Sequence, residues 1–120
     1  MLYNRGDVIE ISFNIPGEGM KNHPAIIISN EEVYNIDGIY LCVMVTHSGM
    51  SSYFAFDLEA EMFANPNNMP EGKAKAHLIA YVEDKHIIKN ANTKRCKMKK
   101  IYVDRLVDFI ASTALSEDEI

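Results

Sequence analysis

Helical periodicity occurs once in this chain, near its C-terminal end. Val103, Leu106, Val107, Ile110 and Ala114 recur at i, i+3, i+4, i+7 and i+11, while Asp104, Arg105 and Asp108 fall off the stripe. That spacing predicts one helix, over Val103–Ala114, burying a single face. The apolar residues before it lie in short, strand-like runs. Val8 to Phe13 alternates, with Ile9, Ile11 and Phe13 on one face and Glu10 and Ser12 on the other. Pro24-Ala25-Ile26-Ile27-Ile28-Ser29, and Ile39 to Thr46 after the turn signal Asp37-Gly38, are unbroken runs of the kind buried on both faces. They predict the central strands. Tyr53 to Asp57, Ala74 to Val82 and a short piece at Lys97 to Ile101 supply further strands, with 58–64 open to either assignment. Pro16, Gly17 and Gly19 mark 14–23 as a loop, and Pro66 to Gly72 reads as a second loop. About five short strands plus one appended helix predict an α+β, mainly β fold: a small, strongly bent sheet or barrel.

With 120 residues, 48% of them hydrophobic and 24% charged, the expectation is one domain spanning 1–120. No stretch approaches the roughly 18 apolar residues of a membrane span, and the N-terminus lacks the layout of a signal peptide, so a cytoplasmic protein is expected. Cys42 and Cys96 form neither a Cys-x-x-Cys pair nor a disulfide framework, which predicts two thiols and no metal site. The net charge of −5 is unevenly distributed: Lys85 to Arg105 holds eight basic residues against Asp104 alone. Such a stretch suits phosphate neutralisation, although charge runs are often no more than a solvated face.

Two stretches carry a family resemblance. Lys21-Asn22-His23-Pro24-Ala25-Ile26-Ile27-Ile28-Ser29-Asn30 follows the Arg5-Gly6-Asp7-Val8-Ile9 strand and its Gly-rich loop, and Val43-Met44-Val45-Thr46-His47-Ser48 is a hydrophobic strand ending in Thr, with Ser close behind. In this order they resemble the MazF/PemK family of toxin endoribonucleases, from about Arg5 to the C-terminal helix. The resemblance implies an SH3-like β-barrel with a C-terminal helix, a homodimer, a cognate antitoxin partner, and cleavage of single-stranded RNA without metal or cofactor. Two departures stand out. His23 occupies the position of the family's Arg, and Leu78 to Asp84 offers no Arg-x-Asp pair in register, Glu83 and Asp84 being close but shifted.

Metal-free RNA cleavage needs a base for the 2′-hydroxyl, an acid for the 5′-oxygen and donors for the phosphorane charge. Histidine serves both proton roles near neutral pH. By the resemblance, Thr46 is the catalytic or phosphate-contacting Thr and His23 takes the place of the Arg. The neighbouring His47 and Glu83 are added as candidate proton carriers from their own chemistry. Lys21, Ser48, Lys85 and Lys89 are the nucleic-acid contacts. His77 and His86 read as ordinary histidines. Tyr53, Phe54 and Phe56 are stacking candidates, of which at least two are expected in the core. No nucleotide-binding glycine motif occurs. Two readings stand: an endoribonuclease with Thr46, His23 and His47 in its site, or a catalytically silent barrel that binds nucleic acid or a protein partner. Loss of the Arg favours the second, retention of Thr46 and Ser48 the first.

Overall fold

The computed structural model describes residues 2–47, 53–89 and 95–117. Strand β1 (Val8–Ile15) and strand β2 (Gly19–Ile27) form one antiparallel hairpin, paired from Val8 with Ile26 to Ile15 with Gly19. The loop expected over 14–23 is therefore mostly strand, and only 16–18 turns. Two glycines make this possible: Gly17 and Gly19 adopt φ of 87° and 81°, which side chains with a Cβ resist. Pro24 is accommodated because β2 pairs with the next strand only over Ala25–Ile27, leaving residue 24 at an edge on that side.

Helix α1 (Glu31–Asp37) follows, an element the periodicity does not predict. It is held by its ends. The Asn30 side chain accepts from the Val33 amide at 3.2 Å, and Gly38, at φ 68°, donates its N–H to the Tyr34 carbonyl. Strand β3 (Tyr40–Thr46), strand β4 (Ala55–Asp57) and strand β5 (Lys73–Val82) complete an antiparallel sheet of order β1-β2-β3-β5-β4. The β3–β5 register slips between Val43 and Val45. The ambiguous segment 58–64 contains a single 3₁₀ turn, Ala60–Met62. Helix α2 (Lys100–Thr113) starts one turn before the predicted Val103, and the expected strand at Lys97–Ile101 shrinks to two bridges, Asp7 with Lys97 and Phe63 with Met98.

Alternation in β2 and β3 divides the core between the two faces of the sheet. Ile26, Val43 and Val45 face Val103, Leu106 and Ile110 of α2, together with Phe63 and Met98. Ala25, Ile27, Cys42 and Met44 face Ile9, Ile11, Tyr40, Val82 and Ile87. This two-sided burial is why both runs are continuously apolar. Truncating Leu106, fully buried under the helix, to Ala would cost about 2–5 kcal/mol. The sheet is an open one: among the described residues β1 and β4 do not pair. The chain after β5 instead returns to β1, where Ile87 bridges Ile11 and the Ile88 amide donates to the Glu10 carbonyl at 2.8 Å.

Candidate functional site

Ala25 opposite Met44 is the last rung of the β2–β3 ladder, beyond which the strands part. His23 and Thr46 stand two residues past that rung, each in step with the residues that face Ile9 and Ile11. They flank the gap. A cleft of about 420 Å³ opens there, lined by Glu18 and Lys21 from the hairpin, His23, Thr46, His47 and Glu71, with Asn22, Pro24 and Val45.

His23 and Thr46 are each only 6% exposed, two of the few buried polar side chains of the described residues. The His23 Nε2 is fully buried and has no hydrogen-bond partner among the described residues. A buried polar atom left unpaired costs about 1–3 kcal/mol, so its retention needs a reason other than stability. At the cleft mouth, His47 Nε2 lies 3.2 Å from Glu71 Oε2, both side chains being well exposed. The segment bearing Glu71 is pressed onto the end of β3. Gly72, at φ 112°, leaves no space for a Cβ, which would stand 2.6 Å from the Thr46 carbonyl oxygen.

The structure thus gathers Thr46, His23, His47 and Lys21 in one place. Lys85 and Lys89 do not line this cleft: Lys85 pairs with Glu83 at 3.3 Å, and the Lys89 Nζ sits 5.9 Å from the centre of the Tyr3 ring. Glu83 and His86 cap the 3₁₀ turn Asp84–His86, and Asp84 accepts hydrogen bonds from Tyr34 and Tyr40. Ser48 lies outside the described residues. Phe54 and Phe56 pack against the α2-side core while Tyr53 is about half exposed, as expected for two core aromatics of the three. Sequence reasoning missed Glu18 and Glu71. Nothing in their linear context marks them, because turns rather than a strand or helix period bring them to the cleft.

Burial pushes the Cys42 thiol up to about 12 and raises Cys96 as well, so neither is a ready nucleophile at neutral pH. No helix of the described residues is long and apolar enough to cross a membrane.

The sequence profile of the PemK-like, MazF-like toxins of type II toxin-antitoxin systems matches residues 4–108. The chain belongs to this family. No curated protein sequence matches it. Among solved structures, this PemK/MazF-like chain is similar to a chain of the MazE-MazF complex from Deinococcus radiodurans, at 14% identity and a TM-score of 0.66, covering 98% of this chain and 100% of that one. An endoribonuclease from a mycobacterial species gives 11% identity and a TM-score of 0.68, covering 99% and 97%. A mycobacterial endoribonuclease in complex with its cognate antitoxin gives 13% and 0.62, covering 98% and 99%. At such identities the likeness establishes the MazF-like fold, and the chemistry has to be argued from the cleft.

Proposed function

We propose that this toxin is an endoribonuclease that cuts single-stranded RNA with side chains alone, without a metal. The observation that carries the proposal is the buried, unpartnered Nε2 of His23, across the opening between β2 and β3 from Thr46. Nε2 takes the 2′-hydroxyl proton. The 2′-oxygen then attacks phosphorus, the P–O5′ bond breaks, and His47 returns a proton to the 5′-oxygen, leaving a 2′,3′-cyclic phosphate and a 5′-hydroxyl. The Thr46 hydroxyl and the Lys21 ammonium stabilise charge on the phosphorane oxygens. Because solvent does not reach Nε2, the His23 side chain turns toward the cleft as RNA enters, a rotamer change of the kind common on binding.

Lys85 and Lys89, away from the cleft, serve as outlying phosphate contacts along the RNA. The solved complexes of similar chains pair MazF with MazE and a mycobacterial endoribonuclease with its antitoxin, and this chain is assigned a cognate antitoxin on that likeness; the homodimeric state rests on the family resemblance alone. The decisive experiment is incubation with a long single-stranded RNA in EDTA, followed by end-group analysis. Cyclic phosphate and 5′-hydroxyl ends are expected. No cleavage by the unmodified protein would hand the case to a silent fold that only binds nucleic acid or a protein partner.

A further inference from the structure

The contact between His47 and Glu71 has no evident stabilising purpose. Both side chains are largely exposed, at 71% and 85%, and ion pairs between exposed groups add little to stability. Yet the backbone fixes their relation. Gly72 follows Glu71 and is packed against the Thr46 carbonyl and the His47 amide nitrogen, where a Cβ would stand at 2.6 and 3.0 Å, while Pro70 on the other side is buried. Glu71 makes no other ion pair among the described residues. The remaining charged or titratable groups facing His47 across the cleft are Glu18, Lys21 and His23, all from the β1–β2 hairpin.

We infer that Glu71 is a positioning residue for proton delivery by His47. Its carboxylate accepts the Nε2–H, which fixes the ring's orientation and leaves Nδ1 as the nitrogen that gives its proton to the substrate. This rests on the ribonuclease reading above. In that reaction the O2′–P bond forms as P–O5′ breaks. The proton from the 2′-hydroxyl goes to His23 and the one from His47 Nδ1 goes to the departing 5′-oxygen, so no further reactant is needed. The donor is the imidazolium, which carries a proton on each nitrogen. Its Nε2–H stays with Glu71, its Nδ1–H goes to the oxygen, and the ring is left as the neutral Nε2–H tautomer. A ring free to rotate would spend only part of its time with a proton aimed at that oxygen.

The test compares two RNA substrates, an ordinary one and one whose scissile 5′-oxygen is replaced by sulfur, a leaving group that departs without being protonated. Glu71→Gln should slow ordinary cleavage roughly 10- to 100-fold, through kcat rather than KM, and should leave cleavage of the sulfur substrate near the unmodified rate. Glu71→Asp should recover part of the loss, and His47→Ala should reproduce the substrate dependence of Glu71→Gln. Nitrogen-15 NMR of the His47 ring should show the Nε2–H tautomer in the unmodified protein and a mixture in Glu71→Gln. Equal loss on both substrates, loss on neither, or an unchanged tautomer ratio would overturn the positioning role while leaving the ribonuclease in place. Absence of cleavage by the unmodified protein would instead remove the ribonuclease reading, and proton delivery with it.

Discussion

Gly72 and Thr46 touch through backbone alone, with no room for a side chain between them: a Cβ on Gly72 would stand 2.6 Å from the Thr46 carbonyl oxygen. Gly72→Ala therefore carries two penalties, that clash and a φ of 112° that an L side chain rarely adopts. Stability should fall by about 1–3 kcal/mol. RNA cleavage, measured at a temperature where the variant is still folded, should fall further than the melting curve explains, because relief of the clash moves Thr46 or Glu71.

Asp84 joins α1 to the end of β5. It accepts from Tyr34 at 2.5 Å and from Tyr40 at 2.9 Å, and these hydroxyls, Tyr34 first, hold its carboxyl below the ordinary range against the opposing effect of burial. A depressed folded value means the stabilisation is complete above the unfolded carboxylate value of about 3.9 and is lost as pH falls through the lower folded value. Asp84→Asn should cost about 1 kcal/mol at pH 7, and the gap between variant and parent in urea unfolding should close as the pH is lowered below about 4.

Tyr40 gives the mirror case at alkaline pH. Burial, with help from the Asp84 hydrogen bond, pushes its hydroxyl up to about 12. The neutral form is favoured in the folded state, so the linked stability is present below the unfolded value of about 10 and is lost as pH rises from there through the folded value. Circular dichroism across this window should show the parent losing stability faster with pH than Tyr40→Phe, although Tyr40→Phe starts lower for want of the Asp84 bond.

How much of the fold is legible in the sequence depends on whether burial follows a period. The α2 stripe and the alternation of β1 are readable because one face of each is buried. The continuous runs of β2 and β3 are readable because both of their faces are. Helix α1 is not, since none of its seven residues is fully buried, Tyr34 alone packs on the core, and it is defined by Asn30 and Gly38 at its ends. Pro16, Gly17 and Gly19 have the composition of a broad loop, yet they make a tight turn in a long hairpin. At the site, strand ends and family resemblance point to His23, Thr46, His47 and Lys21, and these do converge. A charge run points to Lys85 and Lys89, but such a run fixes a total and not a place. Glu71 reaches the cleft through the Gly72 approach to Thr46, a relation that no linear pattern contains.

The basic stretch still makes a prediction of its own. Lys100 and Arg5 are both engaged by Asp104, at 2.8 and 3.0 Å, whereas Arg95 and Lys97 are exposed and in no ion pair among the described residues. If single-stranded RNA runs over this face, Arg95→Glu and Lys97→Glu should weaken binding and flatten the plot of log affinity against log salt by roughly 0.7 for each phosphate no longer neutralised. A slope unchanged in the double variant would place the RNA elsewhere.

The sharpest prediction concerns His23, because the two roles open to a residue in the family's Arg position respond oppositely to one substitution. An imidazole that accepts the 2′-hydroxyl proton cannot be replaced by a guanidinium, which stays protonated at any working pH. A cation that merely stabilises the phosphorane can be. With His23 as the base, His23→Arg and His23→Ala should both lose cleavage, by the roughly 10²- to 10⁴-fold typical of a removed general base. Thr46→Ala should cost on the order of 10²-fold, the amount expected for one donor to transition-state charge. Combining Thr46→Ala with His23→Ala should cost less than the product of the two, since both act on the same step. Cleavage retained or raised in His23→Arg would move His23 from proton acceptor to charge stabiliser. Full cleavage by the His23→Ala, Thr46→Ala double variant would remove the cleft between β2 and β3 from the chemistry altogether.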